Sequence, residues 1–158
     1  MSDNDVIPWL IPLHAAGATV ALVLGAYQLI RRVKGDRRHR IIGVVWVVAM
    51  YWTVSSSFWI KELNDGRFSW IHGLSVFTFI TLSIGLWAAL TGRRHAHRGF
   101  MTGSYLGLIG AFIGAVVVPA RDIPQWAVHQ PLALTAAALG CAAVATAVIL
   151  LSGRRSPG

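Results

Sequence analysis

The chain has a single cysteine, six acidic residues against 14 basic ones, and none of the short motifs that mark common catalytic sites. With Cys141 alone, neither a disulfide framework nor a cluster of thiolate metal ligands can form. No nucleophile elbow, zinc-protease helix, phosphate-binding loop or dinucleotide fingerprint occurs. These absences argue against the familiar hydrolases and nucleotide-dependent enzymes.

Charged residues are missing altogether from five long apolar stretches. Each is about 20 residues or longer, enough to cross a hydrocarbon core of about 30 Å as a helix. Because no carboxylate lies in them, a transporter that works through buried acidic relays is not expected. The sequence predicts an all-α integral membrane protein, one transmembrane domain over residues 1–158, with five helices. These cover residues 8–30, 41–60, 70–90, 100–120 and 127–151.

Basic and acidic residues are divided between the two ends of these helices. Eleven of the 14 basic residues follow the first and third stretches or lie at the C-terminus, whereas five of the six acids lie on the other side. The positive-inside rule therefore predicts an outer N-terminus and a cytoplasmic C-terminus in a bacterial inner membrane. Since this distribution explains the net charge of +8, no nucleic-acid partner is expected. The first stretch is not expected to be a cleavable signal peptide, because an arginine cluster follows it and no basic segment precedes it.

An internal repeat places histidines at both ends of the first four stretches. His39 follows His14 by 25 positions, and His97 follows His72 by the same step. Residues 13–60 align without a gap on residues 71–118 at an offset of 58. The sequence thus predicts a four-helix bundle of two parallel two-helix repeats, with outer and inner histidines, plus a fifth helix. Four imidazoles at two levels are what two stacked metal centres or haems need.

The outer histidines and the residues beside them are candidate ligands. His14 lies deepest, roughly 9 Å along the helix from Pro8 at 1.5 Å per residue. The serines of Ser55–Ser57 share that level and are expected to accept an imidazole N–H. His72 is a candidate through its match to His14. His129, with Arg121, is a possible substrate-side group, and a metal site of three outer histidines ranks lower because it leaves the inner pair without a purpose.

The inner histidines lie in arginine-rich turns, where either a ligand or an ordinary surface histidine is consistent with the pattern. Arg40 and Arg98, next to His39 and His97, are predicted to bind haem propionates by charge-assisted bonds. His95 competes with His97, but only His97 obeys the repeat.

Small residues form stripes on two of the predicted helices. Such stripes serve close packing of membrane helices or give clearance for a flat macrocycle, and the sequence leaves both interpretations open. The first stripe begins at His14. The residues are Gly17, Ala18, Ala21 and Gly25 on the first helix, and Gly103, Gly107, Gly110 and Gly114 on the fourth.

Two resemblances follow from the motifs around these histidines. The runs His39–Gly43 and His97–Met101, with the later Pro119–Arg121, resemble a bacterial family of uncharacterised predicted membrane proteins. The alternating histidines on four successive helices resemble the cytochrome b561 class of transmembrane dihaem proteins. That resemblance implies one haem b between His14 and His72 and another between His39 and His97.

The leading functional hypothesis is therefore a membrane cytochrome b with one or two haems, a possible transmembrane electron-transfer oxidoreductase fed by quinol or another small reductant. A second hypothesis is a haem-free accessory or assembly subunit of a larger membrane complex, or a homodimer, that docks through exposed Trp and Gly residues. A third is a small-molecule or metal carrier that uses the outer histidines and Arg121.

Overall fold

Apolar length and composition produce an all-helical chain in the computed structural model, which describes residues 9–60, 70–117 and 131–152. All five helices are long and apolar enough to cross a membrane. The prediction of a five-helix membrane protein is therefore confirmed for the described part of the chain, while its orientation stays a prediction. The helices are α1 (Leu10–Ile30), α2 (Arg37–Ser57), α3 (Trp70–Leu90), α4 (Arg94–Val117) and α5 (Pro131–Ser152).

Helices α2 and α4 begin earlier than the hydropathy alone places them, at Arg37 and Arg94 rather than at residues 41 and 100. The Asp36 carboxylate caps α2 by accepting the His39 backbone N–H at 3.1 Å. Gly92 has a φ of +72°, and the Arg93 N–H returns to the Ala88 carbonyl at 2.8 Å. This Schellman-type ending of α3 lets α4 start at once. Both inner histidines consequently lie in the first turn of a helix.

The first four helices form a ring, with α1 along α2, α2 beside α3, α3 along α4, and α4 back against α1. Helices α1 and α3 therefore occupy one diagonal of the bundle, and α2 and α4 occupy the other. Helix α5 packs outside this ring against α1 and α2. The bundle has two ends: the His14 end, predicted to be outer, and the His39 end, predicted to be cytoplasmic.

Aromatic rings fill the middle of the bundle against the small residues of α1. The Trp46 indole N–H donates to the Ala21 carbonyl at 2.9 Å, and the Tyr105 hydroxyl donates to the Leu22 carbonyl at 3.1 Å. A Cβ at Gly25 would lie 2.4 Å from the Tyr105 ring and 2.8 Å from Trp46. The part of the α1 stripe around Gly25 therefore serves close packing and gives no clearance for a macrocycle.

Candidate functional site

The two inner histidines meet at the His39 end. His39 comes from α2 and His97 from α4, so their side chains approach along a diagonal of the bundle. Their ring centres are 6.4 Å apart and the ring planes stand at 88° to each other. Both side chains are half-buried. The structure thus brings together two candidates that are 58 positions apart in the sequence.

The hydrogen-bond network assigns the same tautomer to both rings. Gln28 donates from Nε2 to the His39 carbonyl at 2.8 Å, which leaves its Oε1 to accept from His39 Nδ1 at 3.0 Å. His97 Nδ1 lies 2.9 Å from the Gly85 carbonyl, which can only accept. Each imidazole therefore carries its hydrogen on Nδ1 and a lone pair on Nε2. This is the arrangement in which a histidine binds a metal through Nε2 and is oriented by a neighbour.

The spacing of the two rings matches the demand of a single metal ion. Two imidazoles on opposite sides of one ion, each about 2.0 Å from it, have ring centres about 6 Å apart. Within the described residues, no third His, Cys, Asp or Glu side chain completes a cluster with them. A tetrahedral zinc site needs three or four protein ligands, whereas the iron of a haem needs only two from the protein. Two histidine donors meet the haem requirement in number.

A basic loop with one internal ion pair covers this end of the bundle. Arg31 and Asp36 form a two-point pair at 2.5 Å. That bond holds the pKa of the Asp36 carboxyl well below its usual range and raises the pKa of Arg31. Burial lowers the pKa of Lys34, and the nearby charge of Arg98 lowers it further. Lys34 and Arg98 together make the field at this end positive.

The arginines predicted to bind propionates differ in their surroundings. Arg40 is exposed and donates from Nε to the Gly35 carbonyl at 3.2 Å, within its own loop. Arg98 is exposed and lies close enough to Lys34 for their charges to interact. Arg38 has a role that no sequence pattern predicts: it donates to the Ile149 carbonyl of α5 at 2.7 Å and lies 5.6 Å from the Tyr27 ring centre. In a run of basic residues, nothing distinguishes Arg38 from its neighbours.

The outer histidines are held differently, at the His14 end. Ser56 donates its hydroxyl hydrogen to the Trp52 carbonyl at 2.7 Å, so its oxygen accepts from His14 Nδ1 at 2.8 Å. The serine level therefore orients an imidazole, as the sequence indicated. His72 is buried, with its ring centre 6.3 Å from that of Phe58.

The remaining candidates and the separation of the two ends complete the geometry. His129 and Arg121 lie outside the described residues. Fourteen residues separate His14 from Gln28 on α1, a rise of roughly 21 Å. The core that contains Trp46 and Tyr105 fills the interval.

Sequence reasoning missed the two groups that orient the inner histidines. Gln28 carried a usable signal, because an amide in an apolar crossing needs a partner at its own level. The acceptor for His97 is a backbone carbonyl, which has no signature in the sequence.

A comparison with protein families assigns the chain. Residues 11–152 match the model described as Predicted membrane protein (DUF2306). The chain belongs to this family. The resemblance to a family of uncharacterised membrane proteins is thereby confirmed. Neither the curated proteins nor the solved structures gave a match, so the resemblance to cytochrome b561 gains no support from the comparisons.

Proposed function

We propose that the protein is a membrane cytochrome b that carries electrons through haem held between His39 and His97. The observation that supports this most directly is the pair of Nδ1-protonated imidazoles with ring centres 6.4 Å apart. Two such rings on helices of one diagonal are suited to hold a planar macrocycle between them. Haem b would supply a one-electron couple at this position.

The protein's own groups have distinct roles in this proposal. His39 and His97 offer the axial lone pairs, while Gln28 and the Gly85 carbonyl hold the rings in the required tautomer. Lys34 and Arg98 provide positive charge for the propionates of the macrocycle. Arg40 is available to them only by leaving the Gly35 carbonyl. The packed α1–α4 core keeps water from the interval between the two ends.

A second haem at the His14 end is part of the same proposal. His14, oriented by Ser56, and the buried His72 are its ligands. Electrons would then pass between a small reductant such as a quinol at one face and an acceptor at the other. The distribution of basic residues supports a bacterial cytoplasmic membrane, with the His39 end inside.

The test is the reduced-minus-oxidised absorbance spectrum of the purified protein, with haem quantified per chain after expression with ample haem. We expect Soret and α bands, and we expect His39→Ala to lose the haem at its end. His95→Ala is the matched control, because His95 is exposed and lies two positions from His97. A folded wild-type protein without haem absorbance overturns the proposal, as does equal haem loss in the control.

An accessory subunit is the second candidate, favoured by the outer surface of α4. A Cβ added at Gly103 or at Gly110 would have no neighbouring helix within 4 Å in the described residues, so this part of the α4 stripe is uncovered. Such small-residue surfaces allow close contact with another membrane helix. A colourless protein that co-purifies with a larger membrane complex or as a homodimer would support this candidate over the cytochrome.

A further inference from the structure

The two inner histidines differ in what orients them. His97 donates to the backbone carbonyl of Gly85, whereas His39 donates to the side chain of Gln28. A carbonyl of the main chain is the same whatever side chain the residue bears. The amide at position 28, in contrast, is a side-chain group that a substitution can remove, and it forms two hydrogen bonds with His39.

We propose that Gln28 is the positioning residue that fixes the His39 tautomer and sets the redox potential of the inner haem. The potential-setting part rests on the proposed function, since it needs a haem on His39. The tautomer part concerns the protein alone. Gln28 contacts neither the metal nor a substrate in this scheme, and it acts only through the imidazole.

The direction of the effect follows from the hydrogen bond. An acceptor on Nδ1–H makes the imidazole a stronger electron donor, and a donor ligand stabilises the oxidised iron more than the reduced iron. A carboxylate at position 28 is a stronger acceptor than an amide, so Gln28→Glu should lower the potential. Gln28→Leu removes the acceptor at similar volume and should raise it. Opposite shifts from one position distinguish tuning from general damage.

The surroundings of Gln28 bear on both variants, since each also removes the Nε2 donor to the His39 carbonyl. The Lys34 ammonium binds the Gln28 carbonyl and lies 3.3 Å from the Leu29 carbonyl, so it ties down the end of α1. That charge favours the ionised form of a carboxylate at position 28. A Cβ on Gly43 would sit 3.5 Å from Gln28 Nε2, an ordinary contact, so the amide is not tightly confined on this side.

The first measurement is made on haem-free protein in liposomes, with ¹⁵N-labelled histidine. The imidazole nitrogen shifts report which nitrogen carries the hydrogen, and the His39 signal is identified by its loss in His39→Ala. We expect the Nδ1–H form in the wild type and a mixture in Gln28→Leu. Thr19→Val is the matched control, because it removes a side-chain hydrogen bond of 2.8 Å on the same helix away from His39. An unchanged His39 tautomer in Gln28→Leu overturns the proposal that Gln28 fixes this tautomer.

The second measurement is the midpoint potential of haem-loaded protein. We expect a lower value in Gln28→Glu, a higher one in Gln28→Leu and no shift in Thr19→Val. If the leucine variant loses its haem, the sign of the glutamate shift decides. A haem that keeps its potential in Gln28→Glu refutes this inference and leaves the proposed function standing. A wild type that takes up no haem refutes both the proposed function and the role of Gln28 in setting the potential. The nitrogen shifts then test only whether Gln28 fixes the His39 tautomer.

Discussion

Each end of the bundle carries one histidine from residues 13–60 and one from residues 71–118, yet the two ends are built differently. At the His39 end, two imidazoles meet and each is oriented by the neighbouring helix of its own hairpin. At the His14 end, His14 is bonded to a hydroxyl on α2, while His72 is buried beside Phe58. Histidines at matching positions of the predicted repeat therefore have different surroundings.

The offset of 58 shows where the copies diverge. Position 86, which corresponds to Gln28, is a leucine, so His97 has no amide to meet and bonds to the carbonyl of Gly85 instead. Position 114, which corresponds to Ser56, is a glycine. At both of these positions the first hairpin carries a polar side chain and the second carries an apolar residue or glycine. The first hairpin is therefore the one whose substitutions should alter histidine orientation.

The largest effect expected is on haem content. If the proposed function holds, His97→Ala should abolish the haem absorbance of the His39 end, because it removes one of the two proposed axial donors. His72→Ala should affect only a second haem at the other end. Haem per chain and the α-band position of each variant check this. If His72→Ala removes all absorbance and His97→Ala none, haem binds at the His14 end and the proposed site at the His39 end is wrong.

Next in size is the stability of the His14 end. Ser56→Ala removes the hydroxyl that lies 2.8 Å from Nδ1 of the half-buried His14, at a cost of about 1 kcal/mol in the free energy of unfolding. Unfolding in mixed micelles measures the loss. Ser55→Ala, one position away on the same helix, is the control and should stay close to wild type. Equal losses in the two variants would show that the His14 bond carries no special weight.

The attachment of α5 should depend on Arg38. Arg38→Ala removes the hydrogen bond to the Ile149 carbonyl, which at this half-buried position is worth about 0.5–1 kcal/mol. Cys141, the single cysteine, lines a groove with Ala16, Gly17 and Ala49 between α5, α1 and α2, so its thiol reports on this packing. A membrane-permeant maleimide should label it faster in the variant. The exposed Arg37→Ala should leave the labelling rate unchanged; equal acceleration by both would contradict the anchoring role.

The smallest effect expected is the acid response of the loop at the His39 end. Because the folded pKa of Asp36 is depressed by Arg31, its contribution to stability is present above the unfolded pKa and is lost as the pH falls through the folded one. Asp36→Asn keeps an N-cap but removes this pH dependence. Unfolding of both proteins from pH 6 down to about pH 3, around the carboxyl range, compares their slopes. Identical slopes would show that the Arg31–Asp36 pair contributes nothing measurable to stability.

Much of the fold could be predicted from the sequence, because long apolar runs without charges indicate helices that cross a bilayer. Five apolar runs became five helices. The helix starts were missed, since the Asp36 cap and the Gly92 turn extend α2 and α4 into basic sequence that hydropathy counts as loop. The purpose of the α1 stripe could not be read from α1 alone, because the rings that fill it belong to Trp46 and Tyr105 on other helices.

The candidate site was only half visible. The repeat identified the four histidines, but depth in the apolar sequence favoured His14, whereas the described contacts join His39 and His97. Their approach depends on which helices share a diagonal, and that is decided by packing between segments distant in sequence. The shared tautomer of the two rings depends on Gln28 and on a main-chain carbonyl, so it could not be predicted from the positions of the histidines alone.

The aromatic packing around Gly25 has a bioenergetic consequence. Trp46 and Tyr105 direct their polar hydrogens to α1 carbonyls, so these rings offer no donor to a file of water molecules at that depth. A membrane that stores energy as a proton gradient is short-circuited by any such file. In the proposed cytochrome, this close-packed aromatic layer would lie between the two haem levels, where it would let electrons tunnel and would leave protons no path.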